Sequence, residues 1–192
     1  MLYNKNNLSC AKIASKDSFK PELSSVFFTK EKTVATDSFR LLEVSVSSNV
    51  EPVEFPDAMR GITPFLVDAR GVSKIKIPKH KTLTALDYVA IKHIDKTGVT
   101  FLTVDDDLAQ NTITARVIDG KFPDYGNLFP VGAPKAEVTL NGKYLAELLE
   151  IMAGIGELNK VTIKLYGGEK PVALFAEGSN QKARGLIMPI RE

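Results

Sequence analysis

The residues in this chain whose types could do chemistry are few and poorly spaced for it. Asp105, Asp106 and Asp107 form an acidic triplet without the alternating spacing of a calcium loop, and they fall where a hairpin turn belongs. His80 and His93 have neither a cysteine nor a second histidine at metal-ligand spacing. Cys10 is the single cysteine, so no internal disulfide and no multi-cysteine metal site can form. Gly154-Ile155-Gly156 follows a helical pattern instead of opening one, which makes it a helix stop and not a dinucleotide loop. Gly142-Lys143 lacks the upstream glycine of a phosphate-binding loop, and no Gly-x-Ser-x-Gly string occurs. The reading is a non-catalytic protein with no catalytic residues, no metal and no cofactor.

Charge says a little more. The 192 residues carry a formal net charge of +2, too small by itself to identify a nucleic-acid binder. Six lysines (Lys74, Lys76, Lys79, Lys81, Lys92 and Lys96) nevertheless stand close together against only Asp87 and Asp95. A run of this kind is most simply a solvated surface, with phosphate contact as the alternative. At 44% hydrophobic and 25% charged, the chain has the composition of a globular protein with a sizeable core. No apolar run approaches the ~20 residues that span a bilayer. The start of the sequence lacks a signal-peptide pattern, so a reducing, cytoplasmic location fits best.

The elements that would position these residues are mostly strands. SSVFF and TVAT around Lys30-Glu31-Lys32 read as a hairpin, continued with period two through Val44-Ser45-Val46. Residues 49–64, with Pro52, Pro56 and Pro64, read as a connector. KIKIP (74–78) predicts a short strand. TLTALDYVAIKHI (82–94) predicts a helix, because Leu83, Leu86, Val89, Ala90 and His93 recur at helical spacing. VTFLTVD and NTITARVID predict an antiparallel pair across the Asp105–Asp107 turn.

After a second Pro/Gly connector, AEVTL (136–140) predicts a strand and Asn141 an N-cap. A helix to about Met152 follows, with Tyr144, Leu145, Leu148, Leu149 and Met152 as its apolar stripe and Gly154 and Gly156 ending it. VTIKLYG, PVALFAEG and RGLIMPIR then predict three strands. The last segment therefore reads strand–helix–three strands. Residues 74–119 repeat that order, and the N-terminal part looks like a third copy whose helix is at most a stub in LSCAKIAS. The fold class is α+β, with helices on one face of antiparallel sheets.

Four strings carry a family resemblance. VATDSFRL (34–41) resembles the ATDGHRLA signature of the bacterial sliding clamp, the DNA polymerase III beta subunit, departing from it at Ser38 and Phe39. GKFPDYGNLFP (120–130) resembles that family's GRFPDYRRVLP, with Gly126 and Asn127 in place of the arginine pair. GLIMPIRE (185–192) resembles its C-terminal YVVMPMRL, and SKDSFKPELSSVFF resembles the entry to its middle domain, with Leu23 in the place of a pocket leucine. The resemblance covers nearly the whole sequence but leaves the family's first domain unmatched, which describes a shortened member. It implies residues 1–130 as a middle-domain-like part of two clamp (processivity-fold) modules, the first shortened. Residues 131–192 would be half of a C-terminal-like domain, one module.

The resemblance also implies a role. Clamps encircle duplex DNA as ring oligomers and tether polymerase, clamp loader and repair proteins, whose Gln/Leu/Phe-type linear motifs dock in an apolar pocket between the middle and last domains. Carried over, that pocket comprises Leu23, Thr36, Ser38, Phe39, Arg40, Leu41, Pro123, Leu128, Leu186, Met188, Pro189 and Ile190. Without the resemblance, such apolar residues most simply fill a core. Nonspecific phosphate contacts would come from Lys79 and Lys81 at the start of the 82–94 helix and Lys92 along it. The homo-oligomer would be a tetramer by module count. The rival is a clamp-like module that binds clamp partners without forming a ring. A small-molecule enzyme on this scaffold has no supporting constellation.

Overall fold

A computed structural model describes residues 2–46, 63–78, 86–105, 107–134, 136–167 and 169–190. The chain divides into two compact units, Met1–Gly126 and Asn127–Glu192.

Unit 1 is built from one antiparallel eight-stranded sheet in the order β1-β6-β7-β8-β5-β2-β3-β4. Its strands are β1 (Leu2–Asn4), β2 (Ser25–Phe28), β3 (Lys32–Thr36), β4 (Leu41–Ser45), β5 (Phe65–Asp68), β6 (Tyr88–Ile94), β7 (Gly98–Val104) and β8 (Gln110–Ile118). Two short helices, α1 (Lys5–Ser9) and α2 (Ala69–Val72), follow β1 and β5. Each half of unit 1 is thus one strand, one helix and three strands. The halves exchange their first strands: β1 pairs with β6, and β5 pairs with β2 while also pairing with β8 of its own half.

The sequence pattern explains both sheet faces. Along β2, β3 and β5, Val26, Phe28, Ala35, Phe65 and Val67 point to one side, where they meet Tyr3, Leu8, Cys10, Ala69, Val72, Val89, Val99 and Phe101 beneath the helices. Phe28 is fully buried and its ring touches Tyr3, Phe65 and Phe101 at centroid distances of 4.9, 5.5 and 5.7 Å. Burying such a side chain contributes about 1.5–3 kcal/mol. Alternate residues Phe27, Val34, Leu66 and Ile118 form a smaller cluster on the opposite face. Asn7 is buried but satisfied: its side chain donates to the Thr33 hydroxyl and to the carbonyls of Val44 and Ser45, and accepts from the Asn4 amide. Gly71 lets α2 lie directly on β8, since a Cβ there would stand 2.7 Å from Cβ of Ala115.

Several expectations are corrected. The second module opens with Phe65–Asp68 and Ala69–Val72, not with KIKIP and an 82–94 helix. Residues 75–78 are irregular, although Ile75 is buried in the core. Tyr88–Ile94 is strand β6, because Val89 and Ile91 are β-branched and find ladder partners, Val89 with Tyr3 of β1 and Ile91 with Phe101 of β7. Lys92 therefore sits on a strand, exposed at an irregularity between Ile91 and His93. Lys79, Lys81 and most of the 49–64 connector lie outside the described residues.

Unit 2 packs α3 (Gly142–Ile155) on a three-stranded antiparallel sheet ordered β11-β10-β9, with β9 at Thr162–Lys164, β10 at Val172–Glu177 and β11 at Lys182–Ile187. Asn141 caps α3, its side chain accepting from the amides of Lys143 and Tyr144 at 3.0 and 3.3 Å. Leu145, Leu148, Leu149 and Met152 face Val172, Leu174, Ala176 and Ile187. Tyr144 departs from the expected stripe and is exposed. Gly154 lies inside the helix, and Gly156 ends it. Residues 136–140 do not form a strand, and β11 stops at Ile187, before Met188 and Pro189. No helix among the described residues is long and apolar enough to cross a membrane.

Candidate functional site

In unit 1 the VATDSFRL string forms the end of β3, a tight turn and the start of β4, where Thr36 pairs with Leu41. Polar side chains lock the turn. The Thr36 hydroxyl donates to the Arg40 carbonyl at 2.8 Å and accepts from the Ser38 amide at 3.2 Å. The Asp37 carboxylate accepts from the amides of Phe39 and Arg40 and from Nε of Arg40, all at 3.0 Å. The Phe39 amide bond is the largest cause holding the Asp37 carboxyl below its ordinary range. Ser38 adopts φ +77°, a left-handed conformation that favours glycine.

This turn separates two apolar residues. Leu41 turns inward and packs on the cluster of Val34, Leu66 and Phe122. Phe39 points out and is 96% exposed. The GKFPDYGNLFP string docks on the same cluster through residues the sequence reading did not single out. Phe122 is buried and stacks on Phe27 at 5.1 Å, and Tyr125 meets Phe122 edge-on at 5.9 Å. Lys32 Nζ lies 5.4 Å from the centre of the Tyr125 ring and 2.8 Å from the Glu43 carboxylate. That ion pair is the leading cause lowering the Glu43 carboxyl and raising the Lys32 ammonium. Pro123 is exposed between the two anchoring rings. The Phe–Tyr spacing of three inside a Pro/Gly-rich stretch was the available signal for these anchors. Leu23 is half-buried and lies outside this cluster, its carbonyl accepting from the Ser15 amide.

In unit 2 the expected residues gather at the end of β11. Ala183 and Ile187 face α3, so Leu186 points to the opposite side of the sheet and is 67% exposed. Met188 is 62% exposed, Pro189 is half-buried, and Ile190 is half-exposed with its amide donating to the Thr139 carbonyl at 2.8 Å. Leu128, on the turn Gly126–Leu128, is exposed. The structure thus brings Thr36, Ser38, Phe39, Arg40 and Leu41 together on one turn, with Leu41 on the cluster anchored by Phe122. It brings Leu186, Met188, Pro189 and Ile190 together on one strand end.

The helix-bearing face of unit 1 carries a cavity of about 790 Å³. Leu8, Val72, Ile75 and Ile77 line it together with Lys5, Lys12 and Lys76. These exposed lysines are phosphate-contact candidates beside those named from the sequence. On α3 the exposed face instead carries Glu147 and Glu150. Among the described residues, no group of three or more His, Cys, Asp or Glu could hold a metal ion.

Compared by sequence, the chain matches no protein-family model and no curated protein. Compared by structure, it matches bacterial sliding clamps over nearly its whole length. The DNA polymerase sliding clamp from Pseudomonas aeruginosa superposes with a TM-score of 0.69 at 18% identity, covering 98% of this chain and 50% of that one. The sliding clamp from Bacillus subtilis gives 0.70 at 16% identity, covering 100% and 49%. The beta subunit from DNA polymerase of Streptococcus pyogenes gives 0.68 at 15% identity, covering 100% and 50%. The chain has the sliding-clamp fold and spans about half the length of the clamps it matches.

Proposed function

We propose that this chain is a non-catalytic, cytoplasmic clamp-type tether that binds linear motifs of replication or repair proteins at its exposed apolar residues and holds them at duplex DNA. The observation that supports it is the exposed run Leu186, Met188 and Ile190 at the end of β11, in a chain whose fold is that of sliding clamps. Apolar side chains held in fixed positions on a strand end accept leucine or phenylalanine anchors, which carry most of the energy of such contacts. Met188, an unbranched thioether, adapts to different anchors. In unit 1, exposed Phe39 and Pro123, on and beside the 37–40 turn, would contribute in the same way, with half-buried Leu41 supporting the turn from beneath. Lys5, Lys12 and Lys76, with Lys79 and Lys81, would meet phosphates through salt-sensitive contacts.

The test is fluorescence anisotropy with a labelled Gln/Leu/Phe-rich peptide. Met188→Asp places a charge among the anchors and should weaken binding at least ~10-fold, about 1.4 kcal/mol. Equal affinity of variant and parent, or no binding by the parent, refutes the reading.

A second reading, a module that binds such motifs without encircling DNA, is favoured by exposed Glu147 and Glu150 on α3, since acidic residues repel phosphate. Retention on circular but not linear DNA supports the ring; loss from both supports the module.

A further inference from the structure

Unit 1 contains a pairing rule that unit 2 leaves incomplete. In unit 1 the first strand of each module lies beside the second strand of the other: β1 on β6 and β5 on β2. β5 shows the whole arrangement. One of its edges pairs with β8, the last strand of its own module, through Leu66–Ile118 and Val67–Val117. The other edge pairs with β2, the second strand of the other module, from Ser25–Asp68 to Phe28–Phe65.

Unit 2 is a single module with the same order. Residues 136–140 occupy the place of its first strand, α3 follows, and β9, β10 and β11 are its second, third and fourth strands. Residues 136–140 have the alternation of a strand: Val138 and Leu140 pack on the unit 2 core, while Glu137 and Thr139 are exposed. Among the described residues, their one backbone hydrogen bond runs from the Ile190 amide to the Thr139 carbonyl, at the continuation of β11. That contact corresponds to the one between β5 and β8. Among the described residues, none takes the place of β2.

The complementary vacancy is at β9. It is the edge strand of its sheet, all three of its residues are exposed, and its outer edge pairs with no described strand. Ile163 on β9 and Leu165 directly after it are each 48% exposed, and Tyr166 is exposed too. A lysine projecting from an edge strand commonly blocks pairing. Lys164 does not project here: its Nζ lies 4.8 Å from the centre of the Phe175 ring, over the sheet face.

We propose that two copies of this chain complete each other's unit 2, residues 136–140 of each lying antiparallel against β9 of the other. A module's first and second strands are not neighbours in either half of unit 1, so a second copy supplies the partner that one module lacks. The resulting contact is isologous, each copy giving one strand and accepting one, and it closes as a two-fold dimer. Backbone hydrogen bonds would set the register, and Ile163, Leu165 and Tyr166 would lose solvent. The pairing rule comes from unit 1 itself; the proposal deepens the clamp-type reading by naming how an oligomer would begin.

Sedimentation equilibrium on the full chain between about 1 and 200 µM tests it, the range in which such contacts are populated. The expected result is a reversible monomer–dimer equilibrium. The double variant Ile163→Lys, Leu165→Lys changes two half-exposed side chains outside the unit 2 core, so its circular dichroism should match the parent. Its dissociation constant should rise at least ~100-fold. Leu186→Lys, on the sheet face away from α3, should leave the dimer intact. A parent that stays monomeric throughout, or a dimer unchanged in the double variant, overturns the proposal. A monomer that still binds the Gln/Leu/Phe-rich peptide would overturn the strand exchange while leaving the tether reading in place.

Discussion

Ser38 offers a sharp test of the turn that presents Phe39 and Leu41. It sits at φ +77°, where the clamp signature has glycine. Holding an L-residue in the left-handed region costs about 1–2 kcal/mol, and glycine removes that strain. Glycine also gives the unfolded chain more freedom to lose, which costs about 0.5–1 kcal/mol. Among the described residues the serine side chain has no hydrogen-bond partner; the Ser38 amide, which donates to Thr36, is kept in any variant except proline. The balance predicts that Ser38→Gly stabilises unit 1 by about 0.5–1 kcal/mol, raising its melting temperature by ~2–5 °C. Ser38→Ala keeps the Cβ and the strain, so it should melt within about 1 °C of the parent. Differential scanning calorimetry on the three proteins decides. A glycine variant that melts below the alanine variant would show that the turn stores no strain.

Two further outcomes follow from unit 1. Gly71→Ala places a Cβ 2.7 Å from Cβ of Ala115, where α2 lies on β8 and neither backbone can yield cheaply, so urea unfolding should show a loss of about 1–3 kcal/mol. Asp37, Glu43, Asp68 and Asp95 all have carboxyls held below their ordinary values, chiefly by hydrogen bonds from the Phe39 amide, Lys32, Arg70 and Thr97 respectively. Lowered folded-state pKa values give stability that is fully present above the unfolded-state values of 3.8 and 4.5 and is lost as pH falls through the folded ones. The melting temperature should therefore stay level from pH 7 to about 5.5 and decline progressively below about 4.5; a decline that begins near pH 6 would contradict this assignment.

The hairpins were legible because alternation is a local signal. β2 with β3, β7 with β8, and β10 with β11 each carry it within one short stretch. The second module's opening was not. Phe65–Asp68 is a central strand between β8 and β2, apolar on both faces, so it shows no alternation to read. α2 is four residues long, too short for a helical period to register. Residues 82–94 satisfied a helical spacing, yet Ala90 gains two ladder neighbours in β6, Leu2 and Leu102, and non-local pairing outweighed the local pattern. In the candidate site, the turn could be placed from its signature. Phe122 and Tyr125 could not, because their role is to stack on Phe27 and its cluster, nearly a hundred residues away.

Strand exchange between two copies at unit 2 would have a consequence for the proposed tether. Ile190, in the apolar run that would receive a peptide, donates its amide to Thr139 in the segment that would lie against a second copy's β9. Fixing residues 136–140 in a dimer would therefore also fix the backbone at Ile190, next to Met188 and Pro189. A peptide bound there would in turn order the same short stretch and favour the dimer. Such coupling is reciprocal: whatever factor dimer formation adds to peptide affinity, the peptide adds to dimer affinity. The apolar run at the end of β11 would then be best organised in the assembled state, which links partner binding to assembly without any contact between the peptide and the second copy.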